Sequence, residues 1–249
     1  MALADLPPGQ HADRVRDHWW WRPGWRVGRR FYAFHITFED QPELYRLADS
    51  YRSALSAAPS LTLIPDRWLH LTMQGIGFTD EVPDETLAAI IEEARQQLSG
   101  RSPVNVQFGE VIVADEAIVM PAMPAEAVQQ LRTTTRAALG QVLGDENLPE
   151  DPHRYRPHVS IAYLTTDGPA GPYVQAVKAI EPRPAAVRIT HVDVIEMHRD
   201  QQMYEWSLIA RLPLQDSARH RTFAIPTEDT RIVIRADVNG LDHGKPVED

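Results

Sequence analysis

Four of the ten histidines stand two positions ahead of a hydroxyl side chain: His35 with Thr37, His70 with Thr72, His158 with Ser160, and His220 with Thr222. An imidazole of ordinary pKa, about 6.5, can take or give a proton near neutrality, and a hydroxyl can donate a hydrogen bond to an anionic oxygen. Two such pairs facing each other could take a proton from an attacking oxygen, hand one to a leaving oxygen, and donate hydrogen bonds to a group held between them. The chain has no cysteine, which removes thiolate nucleophiles, thiolate metal ligands and disulfides. Chemistry therefore falls to histidines, carboxylates, hydroxyls or a bound cofactor.

Context separates the four pairs. His220 sits in the polar run QDSARHRTF, without a strand pattern, and reads as coincidence. The other three lie in apolar stretches that read as strands: RFYAFHITF (30–38), RWLHLTMQGIGF (67–78) and YRPHVSIAYL (155–164). Residues two apart on a strand share a face. His70 and Thr72 thus point together, with Leu69, Leu71 and Met73 opposite; His158 and Ser160 oppose Val159, Ile161 and Tyr163. That phase turns Tyr163 towards the helices.

The elements that must carry these strands repeat. Helical spacing predicts helices at 44–55, 82–98 and 125–143 and a shorter one near 170–180. VNVQFGEVIVAD and AIVMPA read as a strand pair, and AVRITHVDVIEMH and YEWSLIARLPL as two later strands. Strand, helix, strand, helix, strand recurs, the second set lying 82 to 88 positions after the first. We read this as an internal duplication whose lobes would set equivalent strands face to face across a cleft. His70 and His158, 88 positions apart, fill the same slot after the first helix of each half. His35 precedes its helix, and its counterpart falls in AIVM (117–120), which has no histidine. Symmetry selects His70 and His158; His35 reads as a core residue, with the rim of the same cleft as the alternative.

With HLTM at 70–73 and HVSI at 158–161, the chain resembles the two-histidine phosphoesterases, which include bacterial 2'-5' RNA ligase-like proteins and cyclic nucleotide phosphodiesterases. The resemblance spans about residues 30–212. It implies an α+β fold of two pseudo-two-fold lobes with a central cleft between mostly antiparallel sheets, and a reaction needing no metal or other cofactor. It implies His70 and His158 as the catalytic acid and base, in an order the sequence leaves open, with Thr72 and Ser160 holding the phosphate. The expected partners are RNA ends or nucleotides with a cyclic or 2',5'-linked phosphate, cleaved or, in reverse, ligated. Arg67, Arg154 and Arg156 are cations near the motif strands, and Tyr155 is a candidate for stacking on a base.

Composition sets the frame. A formal charge of −10 argues against a duplex-DNA binder, and 43% hydrophobic with 24% charged residues is ordinary for a globular protein. There is no apolar run of membrane-spanning length and no secretory pattern at the N-terminus, so a monomeric cytoplasmic protein is expected. Three segments are expected: a Trp/Arg-rich stretch at 1–29, a two-lobed domain at 30–214 with its repeat boundary near 115, and an extension at 215–249. In the extension, TRIVIRADV (230–238) could add an edge strand. Residues 13–30 hold six arginines and four tryptophans against two acids. That segment reads as a strap covering a groove, with substrate stacking or phosphate steering as the alternative. Two rival functions remain: a metal hydrolase using Glu150, Asp151, His153 and His158, whose spacing fits no ligand pattern, and a non-catalytic RNA- or nucleotide-binding module.

Overall fold

The computed structural model describes residues 2–149 and 154–215; the strand expected at 230–238, the His220 pair, and Glu150, Asp151 and His153 lie outside the described residues. The chain runs β1 (Arg14–Val15), β2 (Phe31–Thr37), α1 (Pro42–Leu55), β3 (Leu61–Leu63), β4 (His70–Phe78), α2 (Asp84–Leu98), β5 (Val104–Phe108) and β6 (Ile112–Val113). It continues with β7 (Ala117–Pro121), α3 (Ala125–Leu143), β8 (His158–Leu164), β9 (Gly168–Pro169), α4 (Gly171–Lys178), β10 (Ala185–Ile189), β11 (His191–His198) and β12 (Glu205–Pro213).

Two four-stranded antiparallel sheets, ordered β12-β11-β2-β4 and β3-β8-β7-β6, form the body of this α+β fold. The order β2-α1-β4 is matched by β7-α3-β8, and in each the two strands pair antiparallel. The helices cross over. α1, which follows β2 of the first sheet and leads into β3 of the second, packs against β8, whereas α3, which joins β7 and β8 of the second, packs against β4. The crossing helices present apolar stripes, Leu44, Leu47, Ala48, Tyr51 and Leu55 on α1 and Val128, Leu131, Ala138 and Leu139 on α3, and α2 buries Leu87, Ile90, Ala94 and Leu98 at the same helical spacing. Pro42 opens α1, and Asp84 and Glu85 lie in the first turn of α2, where they favour a helix N-terminus.

The sequence reading errs in two strand assignments. VNVQFGEVIVAD is two strands: β5 pairs with β10 in a separate ribbon, and β6 forms the hairpin with β7. AVRITHVDVIEMH also divides, because its buried set runs Ala185, Val187, Ile189 and then shifts phase to Val192 and Val194. The shift falls at Thr190, where the chain passes from the ribbon to the four-stranded sheet.

Residues 11–30 form a strap. Its first part follows the second sheet: Ala12 N–H donates to the Val113 carbonyl, Arg16 N–H to Asp115, and His18 N–H to Leu164, while β1 pairs with β9. Its second part reaches the first sheet, where Arg29 binds Asp80 and Glu81 and Gly28 N–H donates to Asp200. Trp19 is buried and Trp25 packs on Phe31 and Phe78, as a groove cover should, but Trp20 and Trp21 are exposed.

Candidate active site

Both motif histidines open their strands. β4 starts at His70 after a single 3-10 turn, Asp66–Trp68, and β8 starts at His158 directly after Pro157. At that position the ring folds back on the entering chain. His70 Nδ1 is 2.9 Å from the Trp68 carbonyl oxygen and His158 Nδ1 is 2.7 Å from that of Arg156. A carbonyl only accepts, so each Nδ1 carries the proton, and each Nε2 is left to exchange protons with a ligand.

The strands share a second irregularity. His35 pairs with Thr72 but Phe34 with Gln74, which leaves Met73 as a bulge; Val119 pairs with Ser160 but Ile118 with Ala162, which leaves Ile161 as a bulge. Both bulges sit three residues after the histidine. An extra residue flips the side-chain alternation beyond it, so Gly75 and Tyr163 return to the face of their histidines. The expectation that Tyr163 faces the helices is thereby corrected: it lines the same cavity as His70, Thr72, His158 and Ser160.

That cavity has a volume of about 280 Å³, near the lower end of small-molecule sites, roughly 300–1,000 Å³. No carboxylate is among its described lining residues. Burial pushes the His70 pKa down to about 4, against the pull of the Trp68 carbonyl and with further repulsion from His158 and His18. His158 is lowered by burial, opposed by the Arg156 carbonyl. His35 is held well below the usual histidine value by burial and by His70. In the protein alone all three rings are neutral at pH 7.

His35 belongs to this cleft. Its Nε2 lies 3.1 Å from Thr72 Oγ1, and its ring centroid is 4.6 Å from that of His70. In the Nε2–H tautomer it donates to Oγ1 and leaves the Thr72 hydroxyl proton for an anion. Its pairing counterpart beside Ser160 is Val119; the Ser160 hydroxyl meets Tyr163 instead. A second cavity, about 480 Å³, shares Thr72 and His158 with the first and is lined by Arg132, Arg154, Tyr155 and Arg156. There Arg154 Nη2 lies 2.8 Å from both Asp5 carboxylate oxygens, Arg156 donates to the Leu6 carbonyl, and Tyr155 donates to the Thr72 carbonyl. Arg67 lines neither cavity; it is exposed, in the turn before β4, over the Trp68 ring.

Sequence reasoning held a site role for the strap only as the alternative to a groove cover and named none of its residues. His18, Arg22 and Trp25 line the first cavity with Tyr204 of β12's approach. The His18 ring stacks on Tyr163 at 4.3 Å, and its Nε2 is 3.1 Å from the Tyr204 hydroxyl. The cluster of Arg and Trp was the available signal, but an irregular segment has no periodicity to say which residues point inward.

The profile of the 2'-5' RNA ligase superfamily matches residues 38–201. The chain belongs to that superfamily. Among solved structures, this superfamily member resembles TT0787 of Thermus thermophilus, with 16% identity, 75% of this chain and 97% of that chain covered, and a TM-score of 0.56. It also resembles E. coli LigT complexed with 3'-AMP, with 14% identity, 76% and 99% covered, and a TM-score of 0.54. A structure described as a phosphoesterase matches with 13% identity, 75% and 99% covered, and a TM-score of 0.55. At these identities the likeness is one of fold. No curated protein matches the chain by sequence. Among the described residues no group of three or more His, Asp or Glu side chains is placed to hold a metal, and no helix is long and apolar enough to cross a membrane.

Proposed function

We propose that the protein is a phosphoesterase that cleaves, or in reverse joins, 2',3'-cyclic phosphate or 2',5'-phosphodiester bonds in RNA or nucleotides. The reaction is general acid–base catalysis by His70 and His158 without a metal. The observation that carries this reading is the matched tethering of the two rings. Each Nδ1 proton is fixed by the carbonyl two residues upstream, and both rings line a cavity with no carboxylate among its described lining. Two unlike partners would suffice to bury two histidines; a shared tautomer across one cleft suits a pair that exchanges roles.

In hydrolysis, the neutral Nε2 of one histidine takes the proton of a water attacking phosphorus. The protonated Nε2 of the other gives its proton to the departing ribose oxygen. Thr72 and Ser160 donate to the non-bridging oxygens as negative charge builds, at distances set by rigid strands. The depressed histidine pKa values fit this scheme once the phosphate is present: an anion between the rings favours one imidazolium, so the substrate itself supplies the charge that readies the acid. E. coli LigT has been crystallised with 3'-AMP and with phosphate, ligands of the class this reading puts in the cleft.

The test is turnover of 2',3'-cyclic nucleotides and 2',5'-linked dinucleotides by the full chain, with the position of the product phosphate read by chromatography. Conversion of either bond class supports the reading. Binding without conversion of any of them would mark a nucleotide-binding module instead.

A further inference from the structure

The strap carries a feature that the acid–base scheme leaves unused. Arg22 is the one permanently charged residue lining the 280 Å³ cavity among the described residues, and it comes from a segment upstream of the 38–201 superfamily match. It is held there by a single acid. Glu116, at the turn between β6 and β7, receives Arg22 Nη2, the Trp20 indole N–H at 3.0 Å and Arg16 Nη2 at 2.9 Å, with His18 Nδ1 3.4 Å away. Four strap side chains thus converge on one carboxylate. Burial alone would raise the Glu116 pKa, but the His18 hydrogen bond and the Arg22 charge bring it to about 2, so the latch stays ionised.

The latch occupies only part of the guanidinium. Arg22 also meets the Tyr204 phenol, yet its Nε–H is buried with no acceptor among the described groups. A buried N–H donor without an acceptor is uncommon and costly in a folded protein. The other polar side chains lining this cavity are hydroxyls, imidazoles and the Trp25 indole, and Glu116, which takes Nη2, lies outside its described lining. A guanidinium in that setting is matched by a phosphate, whose oxygens accept from it in the plane of the fork.

We propose that Arg22 is a substrate-contact residue: held over the cleft by Glu116, its guanidinium binds an oxygen of the nucleotide phosphate lying between His70 and His158. The inference rests on the reading under Proposed function and deepens it, because it makes the strap a wall of the site. It also assigns the stabilising cation to a segment far in sequence from both motifs. Glu116 is then a positioning residue.

The experiment is calorimetric binding of a nucleoside 2'-monophosphate to the full-length protein, in the wild type, Arg22→Gln and Arg22→Lys, with thermal melting and steady-state turnover on the same samples. A lost charge-assisted hydrogen bond corresponds to roughly 10- to 100-fold weaker binding in Arg22→Gln. Arg22→Lys, which keeps the charge and the Glu116 pair, should recover part of that loss, and turnover should fall through both kcat and KM. Binding by Arg22→Gln within about twofold of wild type overturns the proposal, as does equal weakening in both variants tracked by equal loss of melting temperature, which would make Arg22 a strap anchor only. If the wild type binds the nucleotide but turns over no cyclic or 2',5'-linked substrate, the enzymatic reading fails while the Arg22 comparison still decides the contact. If the wild type binds no nucleoside monophosphate, both fall.

Discussion

The proton inventory of the site is set by the main chain. Because Trp68 and Arg156 offer carbonyl oxygens to the two rings, the Nε2 atoms used in the proposed reaction need no carboxylate partner to fix their tautomer. The hydroxyls are the other half of the scheme, and their removal should be felt in the transition state. Thr72→Val and Ser160→Ala are each expected to lower kcat by roughly 10²–10³, measured on a 2',3'-cyclic nucleotide; losses confined to KM would assign them to ground-state binding only. Burial of His70 also has a signature in stability. Its pKa is about 4 in the folded chain and about 6.5 when unfolded. Below pH 6.5 the unfolded chain therefore gains a proton that the folded chain refuses, and stability falls as pH drops from about 6.5 towards 4. His158, His35 and His18 shift in the same direction. Urea melts across that range should show a shallower loss for His70→Asn than for wild type, and identical slopes would refute a buried neutral His70.

At the scale of elements, periodicity located the four helices and the longer strands. The α3 helix spans the residues expected, 125–143, and the strands of His35, His70 and His158 stand where alternation put them. What periodicity could not locate is what breaks it. The bulges at Met73 and Ile161 insert single residues that leave no mark in composition, yet they turn Gly75 and Tyr163 into the cleft. Arg67 is close to its motif in sequence, but a 3-10 turn carries it outside both cavities. The strap was legible as a basic aromatic groove cover or ligand contact but not residue by residue, since its hydrogen bonds run to Val113, Asp115, Leu164 and Asp200, set by tertiary structure alone. Its second half turns on Gly24, where φ is +83° and an added Cβ would stand 2.6 Å from the Phe78 ring. Gly24→Ala is expected to cost about 1–2 kcal/mol and to raise amide exchange across residues 18–29. Unchanged exchange would mean that the strap is not seated through this turn.

The whole molecule joins two sheets by exchanging helices: α1 leaves the first sheet to pack on β8, and α3 leaves the second to pack on β4. Each of these helices thus packs on the strand that opens with the other half's motif histidine, His158 on β8 and His70 on β4. A chain with a formal charge of −10 nonetheless keeps carboxylates out of the described lining of that cleft. The measurement that bears most directly on this account is turnover of a 2',3'-cyclic-phosphate oligonucleotide in EDTA by wild type, His70→Ala and His158→Ala, with melting curves to confirm folding. The account predicts an active wild type and a loss of roughly 10²–10⁴ or more in each folded variant. Full activity in either variant, or a wild type that works only with added metal, would contradict it.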